Sequence, residues 1–416
     1  MSLVSRIFNG SITEPKMWNP SLWNLNGNKS LSGETVNEYT ALTYSAVFNA
    51  ITLISGTLGS LPLHLMQAKS ETKQIATSHN LYRVMHSVAN PYMTAMQVRE
   101  TMMAHVLAWG NGYAEIVRDT YNQIIELWPI TPNRIEPKMS EGKIVYEISA
   151  DGDRVVLPKE RILHIAGLGF DGFIGYSVVT MASNSIGLGK AMESFGAMYF
   201  GQGTHPGIVV AHPGKLSEAA HKNLKSSLDE AHSGLGKSHK LMLLEEGMKL
   251  EKLGIPPNDS QFLESRAWQI TDVARFFNLP VHKLKEMTKS SFNNIESEQQ
   301  SFVTDSLLPW GIRLEQAYNM QLLSIQEFKA GLYFKHIFEG LLRGNSKDRA
   351  EFYSKMFNVG AMSVNDIREK EDMNPVDGGD IHLVPLNMTT LLNAGKVIDL
   401  KQETINEDSE QKPVPT

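Results

Sequence analysis

The chain has 416 residues, 42% hydrophobic and 20% charged, ordinary proportions that allow two or three domains with buried cores. It has no cysteine, which excludes disulfides and thiolate chemistry and fits a reducing compartment such as the cytoplasm. With 39 basic against 45 acidic residues the net charge is −6, which lacks the basic surplus of a protein that grips nucleic acid tightly.

No apolar run reaches the roughly 18 residues of a bilayer span. Residues 1–28, polar and rich in Trp and Asn, do not read as a signal peptide, and 1–40 read as a loose arm. Val47, Ile51, Ile54 and Leu58 recur at helical spacing and Pro62 follows, so an amphipathic helix is predicted there, with a strand over 63–67. Thr94 and Gln97 form a capping box that opens a second helix. Its face is Val98, Met102, Val106 and Trp109, and Gly110 stands as its C-terminal glycine. Four short β-branched or aromatic runs follow at 113–118, 124–128, 143–149 and 161–165, punctuated by Pro129, Pro132 and Asp151-Gly152. Helices followed by strands predict an α+β class rather than a doubly wound sheet.

A helix is predicted over 181–200, with Leu188, Met192, Phe195 and Tyr199 on one face. Residues 205–253 read as a small α/β unit: strand 208–211, helix 216–232, strands 240–244 and 248–253. Asp259 caps a helix whose stripe is Leu263, Ala267, Ile270, Ala274 and Phe277. The two helices flanking the small unit are expected to pair through Leu188, Phe195, Ile270 and Phe277. A polar stretch, 278–294, precedes a long helix capped by Asn293 and Glu296 and carrying Phe302, Val303, Trp310, Leu314 and Tyr318; Pro309 should kink it. One more helix pair begins at Ser346, and the polar tail beyond about Val397 reads as disordered.

Motifs for chemistry fail on inspection. Gly167-Leu-Gly169-Phe-Asp-Gly172 follows a strand and has Glu193 near the offset of a ribose-binding acid, but no helix opens behind it; a Gly-rich loop leaving a sheet is the plain reading. Gly236-Lys237-Ser238 resembles the end of a phosphate loop, yet Ala231 stands where its first glycine belongs. The 13 histidines show no metal-ligand spacing, and no nucleophile elbow exists. No catalytic residue, metal or cofactor is therefore expected. The 20 methionines fill core gaps or subunit contacts, and sequence does not separate the two. Lys283, Lys285 and Lys289 stand against one acid, Glu286, between two amphipathic helices, which by itself describes a solvated loop.

The order of several phrases resembles the portal family of long-tailed bacteriophages, of the Hong Kong phage type, over roughly 40–390. They are Ala46-Val-Phe-Asn-Ala-Ile with Leu61-Pro-Leu, Trp109-Gly-Asn-Gly-Tyr-Ala-Glu-Ile, Glu126-Leu-Trp-Pro-Ile-Thr-Pro and Ile162-Leu-His-Ile. Gly172-Phe-Ile-Gly-Tyr-Ser, Phe262-Leu-Glu, Ala274-Arg-Phe-Phe-Asn-Leu-Pro, Asn294-Ile-Glu and Ser363-Val-Asn-Asp-Ile-Arg continue the series. The resemblance implies a dodecameric ring around a channel at the capsid vertex, through which double-stranded DNA is packaged and ejected. It implies a wing (41–179, resumed at 295–345), stem helices (180–202 and 259–277), a clip (203–258), a tunnel loop (278–294) and crown-like helices (346–396). The arm (1–40) and tail (397–416) inherit no role. One feature of the residues themselves agrees: a small α/β unit inserted between two helices.

Implied partners are the major capsid protein, the terminase that hydrolyses ATP, a head-tail adaptor and DNA in transit, with no membrane. The implied location is the virion, after assembly in host cytoplasm. Lys283, Lys285 and Lys289 would meet DNA in the tunnel loop, and Lys215, Lys222, Lys225 and Lys237 would serve adaptor docking in the clip. The alternatives are an enzyme using Gly167–Gly172, or a ring-forming head-tail adaptor or capsid-associated structural protein. An adaptor of usual size lacks the stem-clip-stem insertion.

Overall fold

Capping signals decide where the helices start. Asn37 accepts from the Tyr39 and Thr40 amides and opens a single turn, α1 (Glu38–Ala41). In α2 (Ser45–Ser60) the stripe Val47, Ile51, Ile54 and Leu58 is buried, as its spacing requires. The strands β1 (Leu63–Lys69) and β2 (Thr72–Ile75) form a hairpin, followed by α3 (Asn80–His86) and the small pair β3 (Val88–Asn90) and β4 (Met93–Thr94). The capping box is present at α4 (Ala95–Trp109): Thr94 Oγ1 accepts from the Gln97 amide at 3.2 Å and Gln97 Oε1 from the Thr94 amide at 2.9 Å. Gly110 ends this helix at φ 81, and a Cβ there would fall 2.4 Å from the backbone of Gly175 and Tyr176, so turn and packing both require glycine.

Two three-stranded antiparallel sheets follow. One, ordered β10-β5-β6, joins β5 (Asn111–Arg118) to β6 (Ile124–Ile130) and β10 (Ile162–Ala166); the other is the meander β7 (Ile135–Ser140), β8 (Lys143–Ala150) and β9 (Asp153–Pro158). Tyr113, Trp128, Ile130 and Ile162 of the first sheet meet Ile135, Tyr146, Ile148 and Leu157 of the second in one core. The chain continues through α5 (Val178–Met181), α6 (Ser183–Gly201), the antiparallel pair β11 (Ile208–Ala211) and β12 (Lys249–Lys252), and α7 (Asp259–Phe276). A 3-10 turn at Val281–Leu284 and a π-helix at Phe302–Leu307 precede α8 (Leu308–Leu322), α9 (Ile325–Lys329) and β13 (Leu332–His336), which pairs with β1. This mixed architecture of helices and sheets meets the α+β expectation.

The chain divides at residue 338 into two units. The second holds α10 (Glu339–Leu342), α11 (Ser346–Asn358) and α12 (Val364–Lys370), the last opened by a capping box between Ser363 and Asp366. The computed structural model describes residues 29–69, 72–150, 153–201, 208–211, 222, 249–252, 259–285, 299–342, 346–371 and 373–382. The expected Asp151-Gly152 turn, the helix 216–232, the strand 240–244 and the tail lie outside them.

Two buried polar centres organise the first unit. Arg99 donates through Nη2 to the carbonyls of Gly59 (2.7 Å) and Leu61 (3.2 Å), and through Nη1 to that of Met85. These carbonyls lie at the ends of α2 and α3, where unpaired C=O groups concentrate negative partial charge. One guanidinium thus satisfies two helix termini.

The second centre lies where β5 begins. Asn111 Nδ2 donates to the Gly175 carbonyl at 2.8 Å and its Oδ1 accepts the Gly175 amide at 2.9 Å. That oxygen also lies 3.0 Å from His164 Nε2, which must therefore be the donor. His164 Nδ1 is then the acceptor for the Tyr146 hydroxyl at 3.1 Å, and burial keeps that phenol protonated. Tyr113 stacks on the imidazole at 4.5 Å and Phe173 meets it edge-on at 5.1 Å. Gln321 of α8 closes the outer edge of β10: its Oε1 accepts the His164 amide (2.9 Å) and its Nε2 donates to the His164 carbonyl (2.7 Å). Burial holds His164 neutral, its pKa lowered to about 3.

Arg99→Met keeps much of the side-chain volume but strands three buried carbonyls, so it is expected to cost about 3 kcal/mol or more, read as a lowered urea midpoint. A pH dependence also follows. His164 stays neutral in the fold to about pH 3 and buried His105 to about pH 4, whereas unfolded histidine protonates from 6.5. Below 6.5 the unfolded state binds more protons, so stability is full above that pH and falls by about 1.4 kcal/mol per unit per histidine on acidification. Urea midpoints measured from about pH 7.5 to about pH 5 should fall, and His164→Gln should flatten the slope by about one proton.

Candidate assembly and nucleic-acid interfaces

Glycine shapes the first of the two helices flanking β11 and β12. A Cβ at Gly189 would lie 2.7 Å from the Tyr44 ring, and one at Gly187 would overlap Ser30, so α6 lies tightly on the base of the arm. Polar contacts join it to α7: Ser185 Oγ donates to Asp272, with Gln269 Oε1 also near it at 3.4 Å, and Arg266 pairs with Glu193 at 3.5 Å. The bulky residues are turned away. Leu188 and Phe195 are exposed, as are Met198, Leu263, Trp268 and Phe276, while Ala274 and Phe277 are buried. Of the residues expected to pair the two helices, Phe277 is thus buried and Leu188 is exposed. The pair α6–α7 thus leaves several large apolar side chains exposed on one protomer.

Hydrogen bonds join the end of α7 to the start of the long helix. At the end of α7, Asn278 takes φ 51; its amide donates to the Arg275 carbonyl (3.2 Å) and the Leu279 amide to the Ala274 carbonyl (2.8 Å), a Schellman closure. Pro309 has no N–H, so the carbonyl of Asp305, four residues earlier, loses its helical donor. Asn278 Nδ2 supplies one at 2.8 Å, and Ser306 Oγ donates back to the Asn278 carbonyl. The kink expected at Pro309 takes the form of the π-helix Phe302–Leu307, which absorbs the broken register. Asn278 escaped the sequence reading; the signals were an Asn between a helix end and Leu279-Pro280, and a mid-helix proline whose orphaned carbonyl needed a donor.

The lysines divide. Lys283 is half-buried with its ammonium 4.8 Å from the centre of the Phe302 ring, and burial lowers its pKa; Asn49 Nδ2 donates to its carbonyl at 3.4 Å. Lys285 is exposed at φ 62, and Lys222 is exposed. Lys289, Lys215, Lys225 and Lys237 lie outside the described residues.

The loop after β10 opens no helix behind its glycines. Asp171 Oδ1 instead accepts the Phe173 and Ile174 amides, both at 2.8 Å, and the next helix waits for the Ser177 cap. Among the described residues no cluster of three or more His, Asp or Glu is arranged for a metal, and no helix is long and apolar enough to cross a membrane.

Three phrases of the sequence that lie far apart, 109–116, 162–165 and 172–177, converge on the Asn111–His164–Gly175 centre. The phage portal protein family model matches residues 45–372. The portal protein of Enterobacteria phage HK97 is 30% identical over 356 residues, 84% of either chain. The probable portal protein of Streptomyces phage phiC31 is 33% identical over 396 residues, 90% of this chain and 85% of that one. A chain from the neck of a native gene transfer agent particle, computed with C12 symmetry, shares the fold at TM-score 0.53 and 17% identity, covering 82% of this chain and 94% of that chain. The chain belongs to the phage portal protein family, a structural and non-enzymatic component of the phage head at the capsid vertex.

Proposed function

We propose that about twelve copies close into a ring whose bore passes double-stranded DNA during packaging and ejection. The observation that carries this reading is the set of large apolar side chains left open on α6–α7, where Leu188, Met198, Leu263, Trp268 and Phe276 are all at least 40% exposed. A heterologous contact closes when each copy covers such side chains on the next. Related necks computed with C12 and with C6 symmetry both fit a twelve-fold ring. α6 and α7 form the stem, the unit containing β11 and β12 forms the clip, and 278–294 narrows the bore. A net charge of −6 per copy sums to a strongly acidic ring that repels phosphates and keeps DNA sliding.

Ring assembly takes place in host cytoplasm, and the finished ring meets the major capsid protein, the terminase and a head-tail adaptor. Lys215, Lys222, Lys225 and Lys237 contribute to the adaptor surface. Lys285 and Lys289 offer transient phosphate contacts in the tunnel loop, with Lys283 contributing less because it rests on Phe302.

Mass photometry of the purified protein, alone and with its capsid protein, should find closed rings; only monomers and dimers under both conditions would contradict the proposal. Lys283, Lys285 and Lys289 replaced together by Glu should leave rings intact but lower DNA retention roughly tenfold, with single changes having little effect. Wild-type retention by the triple variant would remove this loop from the DNA path. Replacing 207–252 with a Gly/Ser linker should leave the remaining circular dichroism intact and abolish co-purification of the adaptor.

A further inference from the structure

Two hollows run side by side along α8. One, of about 560 Å³, is walled by Met320, Leu323, Ile325, Phe328 and Lys329; the other, of about 310 Å³, by Tyr146, Lys159, Ile165, Phe173 and Arg313. Gln316 and Met320 line both, so the two hollows adjoin there and are taken together as one groove. From Arg313 to Leu323 the helix advances about 15 Å, the length of about three helical turns of a partner. Met320 (70%), Ile325 (76%) and Phe328 (61%) stand exposed on its walls, a contiguous apolar surface of the kind that marks an interaction site.

Its electrostatics are out of character with the chain. Acidic residues outnumber basic ones 45 to 39, yet among the described residues none lining either hollow is a carboxylate, while Lys159, Arg313 and Lys329 all line it. The carboxylates of α8 and α9 are turned to other partners: Glu315 to the His336 amide and Lys335, Glu327 to His79 at 2.8 Å and to the Ser324 amide. His164, the remaining titratable nitrogen base in the lining, is held neutral by burial. Arg313 is positioned rather than loose: Nη1 donates to the Ala166 and Gly167 carbonyls at 3.1 and 2.9 Å, and the guanidinium lies 5.4 Å from the Trp310 ring centre. A guanidinium has five N–H donors, so Nε and Nη2 remain for an anion.

We propose that this groove is a docking site for an amphipathic helix of a partner protein, with apolar residues entering beside Met320, Ile325 and Phe328 and carboxylates meeting Lys159, Arg313 and Lys329. Apolar walls bounded by cations fit such a helix better than a nucleic acid, whose phosphates gain nothing from Phe328 and Leu323. The inference does not depend on ring closure or on the DNA path.

The probe is a fluorescein-labelled amphipathic peptide of about 14 residues with Leu and Phe at i, i+3, i+4 and i+7 and Glu on the flanks. A control carries Lys at every Glu, and a labelled DNA duplex of about 20 base pairs tests the nucleic-acid alternative. Fluorescence anisotropy with the full-length protein should show saturable binding of the Glu peptide, roughly tenfold weaker for the Lys control. Two variants, Ile325→Glu with Phe328→Glu and Lys159→Glu with Lys329→Glu, alter exposed side chains and should keep the wild-type circular dichroism. Each should weaken the Glu peptide roughly tenfold. Equal binding of both peptides, unchanged binding by either variant, or duplex DNA displacing the peptide would overturn the proposal. So would loss of self-association in the variants without loss of peptide binding, because a second copy would then be the occupant.

Discussion

One amide side chain ties together segments that the chain order keeps far apart. Asn111 pairs with both polar groups of the Gly175 backbone and receives the Nε2 proton of His164, whose own backbone is pinned by Gln321 of α8. The helix before β5, the edge strand β10, the long helix α8 and the loop leading to α6 are fixed relative to one another through this centre. Its polar groups are buried, so each must find a partner, and the closed set of donors and acceptors leaves one arrangement. The close packing of Gly110, Gly167 and Gly175 backbones around it is the steric counterpart, since a Cβ on Gly175 would lie 2.1 Å from the Gly110 carbonyl.

From that fixed departure point the direction of α6 follows. Glycines at 187 and 189 seat it on Ser30 and Tyr44, polar contacts hold α7 alongside, and the bulky apolar side chains are left facing outward. A single protomer therefore leaves large apolar side chains of both helices exposed. At the far end of α7, Asn278 and Pro309 solve each other's problem: the helix end needs a residue that tolerates φ 51, and the proline leaves a carbonyl that the same residue's amide can cap. The proposed tunnel loop begins at this join.

Much of this was legible in the residues. The α2 stripe, the Thr94–Gln97 box and the Gly110 stop each have a local cause and appear where the sequence places them. β7 and β9 escaped detection because they are largely exposed, with Ile135 and Leu157 as their buried apolar residues. The pairing of β1 with β13 could not be read because it joins residues near 65 and 334, and no local pattern reports such a partner. The exposure of Leu188 on α6 was not legible for a related reason: periodicity shows which residues share a face, but not what covers it. Among the candidate lysines, composition could not foresee that Lys283 folds back onto Phe302, since that contact joins segments distant in the sequence.

The central claim is that the Asn111 centre fixes where the chain leaves the sheets for α6, and hydrogen exchange tests it most directly. In Asn111→Leu, a substitution of similar volume without polar groups, the amides of 172–177 should exchange at least about tenfold faster, a loss of about 1.4 kcal/mol of local protection. Those of α4 should keep wild-type rates. Unchanged exchange at Gly175, or acceleration spread evenly over the whole first unit, would contradict the account.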